Sequence, residues 1–452
     1  MTDSINWQQA FEIASGEVVS FIGAGGKTSL MVSLGYELAE AGMRVLATTT
    51  ISMHTYQLDL MPNALPIYTD PDLISQALNE GQFVFLYTEI QEQQVFGVTP
   101  EAITHLLDAV DSDVMLVEAD YANNLPLKAP LDGEPNIPDE TTLIIPVVSL
   151  SALGQPIDNA HVYNADAMIA RYGFQSGSPI KSPWLAQVLR DAQLGMRGVP
   201  DGPRVVAFLN RTPPKGYDRM RARRIARLAL KSPRLNGVVL GSVRGAETVH
   251  EIQRPVGAVV LAAGLSTRMG EPKVLLPWEG SRTIIEHIVY QLIKSRIDHI
   301  VVVTGHQSRE VKEILKPYDV KVVYNRAYKT GEMLSSLKAG LRAMPDHVAA
   351  SLMVLGDQPG IQPKVIYRLL SQYAEGTGDL LIPSYRMRRG HPILIGRRYW
   401  GEILSMRRHE SPRAFIDAHD KQITYVKVDT DSILRDVDTP QDYREERLRS
   451  KG

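Results

Sequence analysis

Short runs rich in β-branched residues recur along the first half of the chain, and several are separated by stretches whose apolar positions fall three and four apart. The pattern predicts strands at residues 18–23, 44–50, 83–89, 114–120, 141–148, 204–210 and 237–243. Amphipathic helices are expected at 28–41, 100–110 and 217–230. A second series starts at Val256, with strands at 258–262, 299–304, 321–324, 351–355, 379–383 and 423–428. Helical patterns at 284–295, 332–343 and 363–373 separate these strands. Strands alternating with helices imply parallel sheets flanked by helices. The polar stretch 244–255 between the two series reads as a linker, with the boundary near Gln253. The expected architecture is therefore α/β, with one mainly parallel sheet in residues 1–250 and another in 256–452.

The chain's 452 residues exceed what one ordinary core holds, which agrees with two domains. Charged residues at 22% and a net charge of −2 give no general attraction to polyanions, so nucleic acid is not an expected partner. No cysteine is present, which excludes thiol nucleophiles, disulfides and thiolate metal sites. Any metal must be held by oxygen or imidazole. The start, Met1 to Trp7, lacks a basic stretch followed by an apolar core, and no apolar run approaches the ~20 residues that span a bilayer. A cytoplasmic protein without a membrane partner is expected.

Chemistry is concentrated where strands end. Val259-Val260-Leu261-Ala262-Ala263-Gly264-Leu265-Ser266-Thr267-Arg268-Met269-Gly270-Glu271-Pro272-Lys273 joins an apolar strand to a glycine-rich turn carrying two cations. Gly264 and Gly270 let backbone N–H groups approach phosphate oxygens, while Arg268 and Lys273 supply positive charge. Leu352-Met353-Val354-Leu355-Gly356-Asp357 is an apolar strand ending in a carboxylate, at the edge where parallel sheets bind ligands. Asp436 and Asp438 follow near the end, with Pro440 suited to the first turn of a helix. Asp357 with one of that pair would suit Mg2+, and Asp438 is the preferred second ligand. Asp436 could instead cap the closing helix or pair with an arginine. Cations and a metal around a nucleoside triphosphate imply in-line attack on the α-phosphate with pyrophosphate leaving.

These elements resemble the MobA-like nucleotidyltransferases, and among them the molybdenum cofactor cytidylyltransferases. The resemblance is carried by the Leu-Ala-Ala-Gly-x-Ser-x-Arg-Met-Gly-x-x-Lys opening, Asn325 with the segment Gly331 to Leu337, Gly356-Asp357-Gln358-Pro359, Arg389-Gly390-His391-Pro392 and Asp436-Val437-Asp438-Thr439-Pro440. It implies that Leu261, Ala262, Ala263, Gly264, Ser266 and Gly270 bind the nucleotide, with Arg268 and Lys273 on its phosphates and Asp357 on magnesium. It also implies that Ser335, Ser336, Arg389, Gly390, His391 and Pro392 shape the acceptor side. Guanylyl-transferring relatives carry a second glycine where this chain has Ala263, which favours CTP. The implied acceptor is the phosphate of molybdopterin or the molybdenum cofactor. Arg386 and Arg388 could bind that phosphate or be solvated surface.

In the first half, Gly23-Ala24-Gly25-Gly26-Lys27-Thr28 again joins a strand to a helix. The usual phosphate-loop pattern wants glycine where this chain has Phe21, so only a tighter form is present. Backbone N–H groups from Gly23 to Lys27, the Lys27 ammonium and a metal-binding Thr28 hydroxyl would together hold phosphates. The strand from Val114 to Asp120 ends in Glu118 and Asp120, which could hold a metal or a water, or be a solvated strand end. Asn210-Arg211-Thr212 sits where related folds carry Asn-Lys-x-Asp, and Arg211 and Pro213 depart from that pattern. With Leu125-Pro126-Leu127-Lys128-Ala129-Pro130 and Ala152-Leu153-Gly154-Gln155-Pro156, this half resembles the YqeC-like accessory family of selenium-dependent hydroxylases. The resemblance implies ATP or GTP handling and a molybdenum hydroxylase apoprotein as partner. His161 and His391 are read as hydrogen-bonded structural histidines, His391 being tilted toward substrate by its motif. The basic stretch 219–231 is read as a solvated helix face. Rival functions are nucleotidyl transfer to a sugar or polyol phosphate and a non-catalytic cofactor chaperone.

Overall fold

Val18 to Ile22 are buried without a break, with Val18 and Ile22 packed into one apolar cluster and Val19 and Phe21 into another. A strand covered on both faces has no polar side to alternate, which is why this run is apolar apart from Ser20, whose buried hydroxyl is paired with that of Thr141. In the computed structural model, which describes residues 5–450 apart from Thr267 and Gly331, it is the strand Glu17–Gly23 near the middle of a nine-stranded sheet. The first four and last two residues lie outside that description, as do the two motif positions Thr267 and Gly331. The chain divides into two compact units, Met1–Gln253 and Arg254–Gly452.

In the first unit the sheet order is Val249–Gln253, Gly237–Gly241, Arg204–Asn210, Leu143–Ser149, Glu17–Gly23, Val114–Glu118, Val45–Thr49, Phe83–Tyr87 and Ala64–Pro66. All neighbours are parallel except the first pair. Register aligns Gly23 with Val147, Phe21 with Glu118, Thr49 with Glu118 and Ser149 with Asn210. The carboxyl ends of five strands therefore share one edge.

The expected linker at 244–255 is corrected at residues 249–253. Val249–Gln253 is an antiparallel edge strand, and its Val249 and Ile252 are buried in the core. Its polar Glu251 is fully buried and paired with Arg219 and Arg223 of the helix Tyr217–Ala229. Part of the basic stretch read as solvated thus neutralises a buried carboxylate.

The second unit has an eight-stranded mixed sheet. Lys321–Tyr324, His299–Thr304, Val256–Ala262 and Ala350–Leu355 run parallel in that order. Ile393–Gly396 follows antiparallel, then Leu380–Tyr385, which pairs antiparallel with Arg388–Arg389 and parallel with Ile423–Lys427. The strands Ile393–Gly396 and Arg388–Arg389 had no counterpart in the pattern. The helix Glu332–Arg342 packs against Val256–Ala262 so closely that a Cβ on Gly340 would lie 2.2 Å from Val259 Cγ1. The helix Ile284–Lys294 starts at a capping box between Thr283 and Glu286. Among the described residues no helix is long and apolar enough to cross a membrane.

Candidate functional sites

The second unit builds its site where Val256–Ala262 and Ala350–Leu355 end side by side. Gly356 N–H donates to Leu261 O at 3.0 Å, and a Cβ on Gly356 would lie 2.7 Å from that oxygen, so only glycine allows this approach. The loop after Ala262 turns through Ser266 and Gly270, both at positive φ. It closes when Lys273 N–H donates to Ser266 Oγ at 3.2 Å. This delivers the Lys273 ammonium to Asp357 Oδ2 at 2.6 Å and Asp438 Oδ1 at 3.1 Å. Arg268 reaches the other oxygen of Asp438 at 3.1 Å while its side chain remains 72% exposed. Val437 N–H donates to Asp357 O at 2.8 Å, pinning the carboxyl-terminal segment to the strand end. Thr439 then caps the helix Pro440–Arg449, with Pro440 in its first turn.

Arg268, Lys273, Asp357 and Asp438 are therefore one contact network, assembled from segments far apart in the chain. Burial would lower the Lys273 pKa, but Asp357 and Asp438 outweigh it and the net shift is upward. Asp436 turns aside and accepts the Gln358 amide. Asn325 donates to Ser335 Oγ at 2.7 Å and Ser336 Oγ at 3.0 Å, which fixes the start of the helix Glu332–Arg342. Gly390 passes close to Ile433 O, His391 N–H donates to that oxygen at 3.0 Å, and Pro392 follows a cis bond. Burial pushes the His391 imidazole down, against the pull of Met353 and the Asp357 carboxylate. Arg389 is not brought to the cluster: its guanidinium faces Asp417 and Asp420 on the surface. Arg386 lies over the Tyr385 ring.

Among the described residues no three His, Asp or Glu side chains are gathered as a metal cluster. Two carboxylates converging on one positive group nonetheless fit magnesium, which takes few protein ligands and completes its shell with phosphate and water.

In the first unit, Gly23, Gly25 and Gly26 all adopt positive φ, and a Cβ on Gly25 would lie 2.6 Å from Ser149 Cβ. The helix Lys27–Glu40 begins at Gly26 with no side-chain cap. Lys27 Nζ donates to Gly23 O at 2.9 Å and lies 3.6 Å from Glu118. Thr28 Oγ1 donates to Glu118 Oε2 at 2.7 Å and accepts from Gln57 at 2.8 Å. Glu118 and Asp120 are buried, not solvated strand ends, and burial raises the pKa of Glu118. Asp120 Oδ2 accepts Gly23 N–H at 2.8 Å, and its other oxygen takes the buried Lys128 ammonium. Asn210 donates to Gly25 O at 2.8 Å, so it ties the loop from the third side. These groups, Gly23, Asp120 and Lys128 aside, border a cleft of 690 Å3. Gln57 carried no signal in the sequence, and Lys128 was visible only as part of a motif.

Residues 258–423 match the MobA-like NTP transferase domain and residues 19–166 match the YqeC protein family. The YqeC protein of Escherichia coli K12 is 34% identical over 199 residues, which covers 43% of this chain and 75% of that protein. The molybdenum cofactor cytidylyltransferase of the same organism is 26% identical over 189 residues, covering 42% of this chain and 93% of its own length. Nicotine blue oxidoreductase of Paenarthrobacter nicotinovorans is 34% identical over 151 residues, covering 31% and 70%.

Proposed function

We propose that this chain, which belongs to the YqeC family through its first unit and to the MobA-like NTP transferases through its second, transfers CMP from CTP to the phosphate of molybdopterin or the molybdenum cofactor. The second unit is a nucleotidyltransferase. The observation that carries the reading is the convergence of Lys273, Arg268, Asp357 and Asp438 beside the strand end at Leu261 and Ala262. The first unit holds ATP or GTP and supports maturation of a molybdenum hydroxylase apoprotein in the cytoplasm.

An oxygen of the acceptor phosphate forms the new bond to the α-phosphorus, and the bond to the bridging oxygen breaks as pyrophosphate leaves with the electron pair. Arg268, planar and exposed, is suited to grip two phosphate oxygens, and Lys273 supplies a point charge that its carboxylate neighbours keep ionised. Glycine-shaped backbone at Gly264 and Gly270, where an added Cβ would meet nothing within 4 Å, lets phosphates approach N–H groups without side-chain interference. Magnesium, when bound, would be held by Asp357 and Asp438 and would supply charge neutralisation at the departing pyrophosphate. Catalysis is alignment plus neutralisation, with no covalent intermediate on the protein. Ala263 in place of glycine favours cytosine over guanine.

Asp357 is part-exposed and holds no core packing together, so Asp357→Asn is expected to stay folded. With CTP and molybdenum cofactor it should lower pyrophosphate release by about 100-fold or more. Undiminished turnover would overturn the mechanism. The likeness to nicotine blue oxidoreductase favours a second reading, an oxidoreductase activity of the second unit. That reading requires electron transfer from a reduced donor, with NADH and NADPH as the donors assayed, in place of pyrophosphate release, and running both assays on one preparation separates the two. A panel of sugar and polyol phosphates tests the acceptor.

A further inference from the structure

The cleft that holds the phosphate loop of the first unit is also lined by His161, which nucleotidyl transfer in the second unit does not use. Asp158 Oδ1 accepts the N–H of Ala160 at 3.0 Å, the N–H of His161 at 3.1 Å and the His161 ring at Nδ1, 2.7 Å away. A carboxylate only accepts, so Nδ1 carries the proton, and in the neutral ring Nε2 is left as a proton acceptor. The backbone bonds fix the carboxylate as well as the ring, so the imidazole is mounted rather than free to swing. This mount is tied to the phosphate loop. His161 precedes the strand Val162–Tyr163, which pairs in parallel with Leu127–Lys128. Lys128 grips Asp120, and Asp120 accepts the Gly23 N–H that opens the loop.

The carboxylate that lines the cleft, Glu118, is poorly placed to act as a base. Glu118 is 4% exposed and already accepts the Thr28 hydroxyl with Lys27 alongside. A histidine held by an aspartate, with its second nitrogen unassigned, is the arrangement that general-base catalysis needs.

We propose that the first unit is a nucleoside triphosphatase in which His161 is the general base and Asp158 is its positioning residue. The inference rests on reading this unit as nucleotide-binding. A water oxygen attacks the terminal phosphorus of the bound triphosphate while its proton passes to His161 Nε2. The bond between that phosphorus and the bridging oxygen breaks, and the nucleoside diphosphate leaves with the electron pair. The products are diphosphate nucleotide and inorganic phosphate.

The test uses the full chain with ATP and, separately, GTP, each with Mg2+, and measures phosphate release and calorimetric affinity. His161→Ala and His161→Gln should both lower kcat by about 100-fold or more while affinity stays within about twofold. Added imidazole should restore part of the rate to His161→Ala and none to His161→Gln, a response that a purely structural role does not give. Asp158→Asn should lower kcat about tenfold or more with KM unchanged. Phosphate release that His161→Ala leaves intact, or nucleotide binding without phosphate release in the unmutated chain, overturns the inference alone. No nucleotide binding to the unmutated first unit overturns the reading beneath it.

Discussion

Lys273 stands between Asp357 and Asp438, and removing either carboxylate changes the charge that the loop presents to phosphate. The spacing of two aspartates around Val437 made both candidates, but their division of labour depends on Gln358, 78 residues earlier, which takes Asp436 for itself. No local pattern records a partner that distant. Asp438→Asn should lower pyrophosphate release by about 100-fold. Asp436→Asn should change it by less than about fivefold, because an asparagine oxygen still accepts the Gln358 amide. Equal losses in steady-state assays would return Asp436 to the site. Glu118 supports a pH-dependent expectation in the other unit. Burial raises its pKa in the folded protein, so above the ordinary carboxylate range the folded state binds more protons than the unfolded chain. Stability therefore falls as pH rises from the unfolded value of about 4.3 through the raised folded value, and is flat beyond it. Thermal unfolding of the first unit between pH 5 and 8 should show that decline, and Glu118→Gln should show a shallower one. A slope unchanged by the substitution would mean that Glu118 is ionised throughout.

At the scale of elements, the central parallel strands were legible because burial on both faces makes them apolar over most of their length, as in Leu143–Ser149, where all seven residues are buried and only the last is polar. Edges were less legible. Val249–Gln253 mixes His250, Glu251 and Gln253 with Val249 and Ile252, and its polar residues suggest a loop until Glu251 is seen against Arg219 and Arg223. Arg388–Arg389 was read for its charge, yet it forms a short antiparallel strand that directs Arg389 to Asp417 and Asp420. The edge strand in the first unit is held by a charge pairing as well as by its ladder. Glu251→Ala leaves Arg219, 16% exposed, without its main partner. The expected loss is roughly 3 kcal/mol, the low end for a buried pair, because Arg223 keeps access to water. Denaturant unfolding of the full chain should move the first-unit transition and leave the second-unit transition in place; an unchanged first transition would mean the pairing adds nothing net.

At the scale of the molecule, the alternation of strands and helices identified two α/β sheets, and in the division into Met1–Gln253 and Arg254–Gly452 the segment 249–253, read as part of a linker, lies in the first unit. Those residues carry Val249 and Ile252 into the first core and cover the strand Gly237–Gly241, whose outer backbone groups would otherwise form an open edge. On the far side, Ala349 N–H donates to Pro255 O and Arg254 lies over the Tyr373 ring, so Arg254 and Pro255 already belong to the second unit. A cut between Gln253 and Arg254 therefore leaves each of these segments with its own core, whereas a cut after Val243 strips the edge strand and takes the Glu251 carboxylate away from Arg219 and Arg223. We expect residues 1–253 and 254–452, produced separately, to be soluble and monodisperse, the first binding nucleotide and the second releasing pyrophosphate at a rate within about threefold of the full chain, as independent cores allow. Residues 1–243 should aggregate or lose several degrees of melting temperature, because an exposed apolar edge strand invites pairing between molecules. Size-exclusion chromatography and thermal unfolding of the three fragments decide the matter: a well-behaved 1–243 fragment would make the last ten residues of the first unit a tether after all, and an inactive 254–452 fragment would mean that transfer needs both halves.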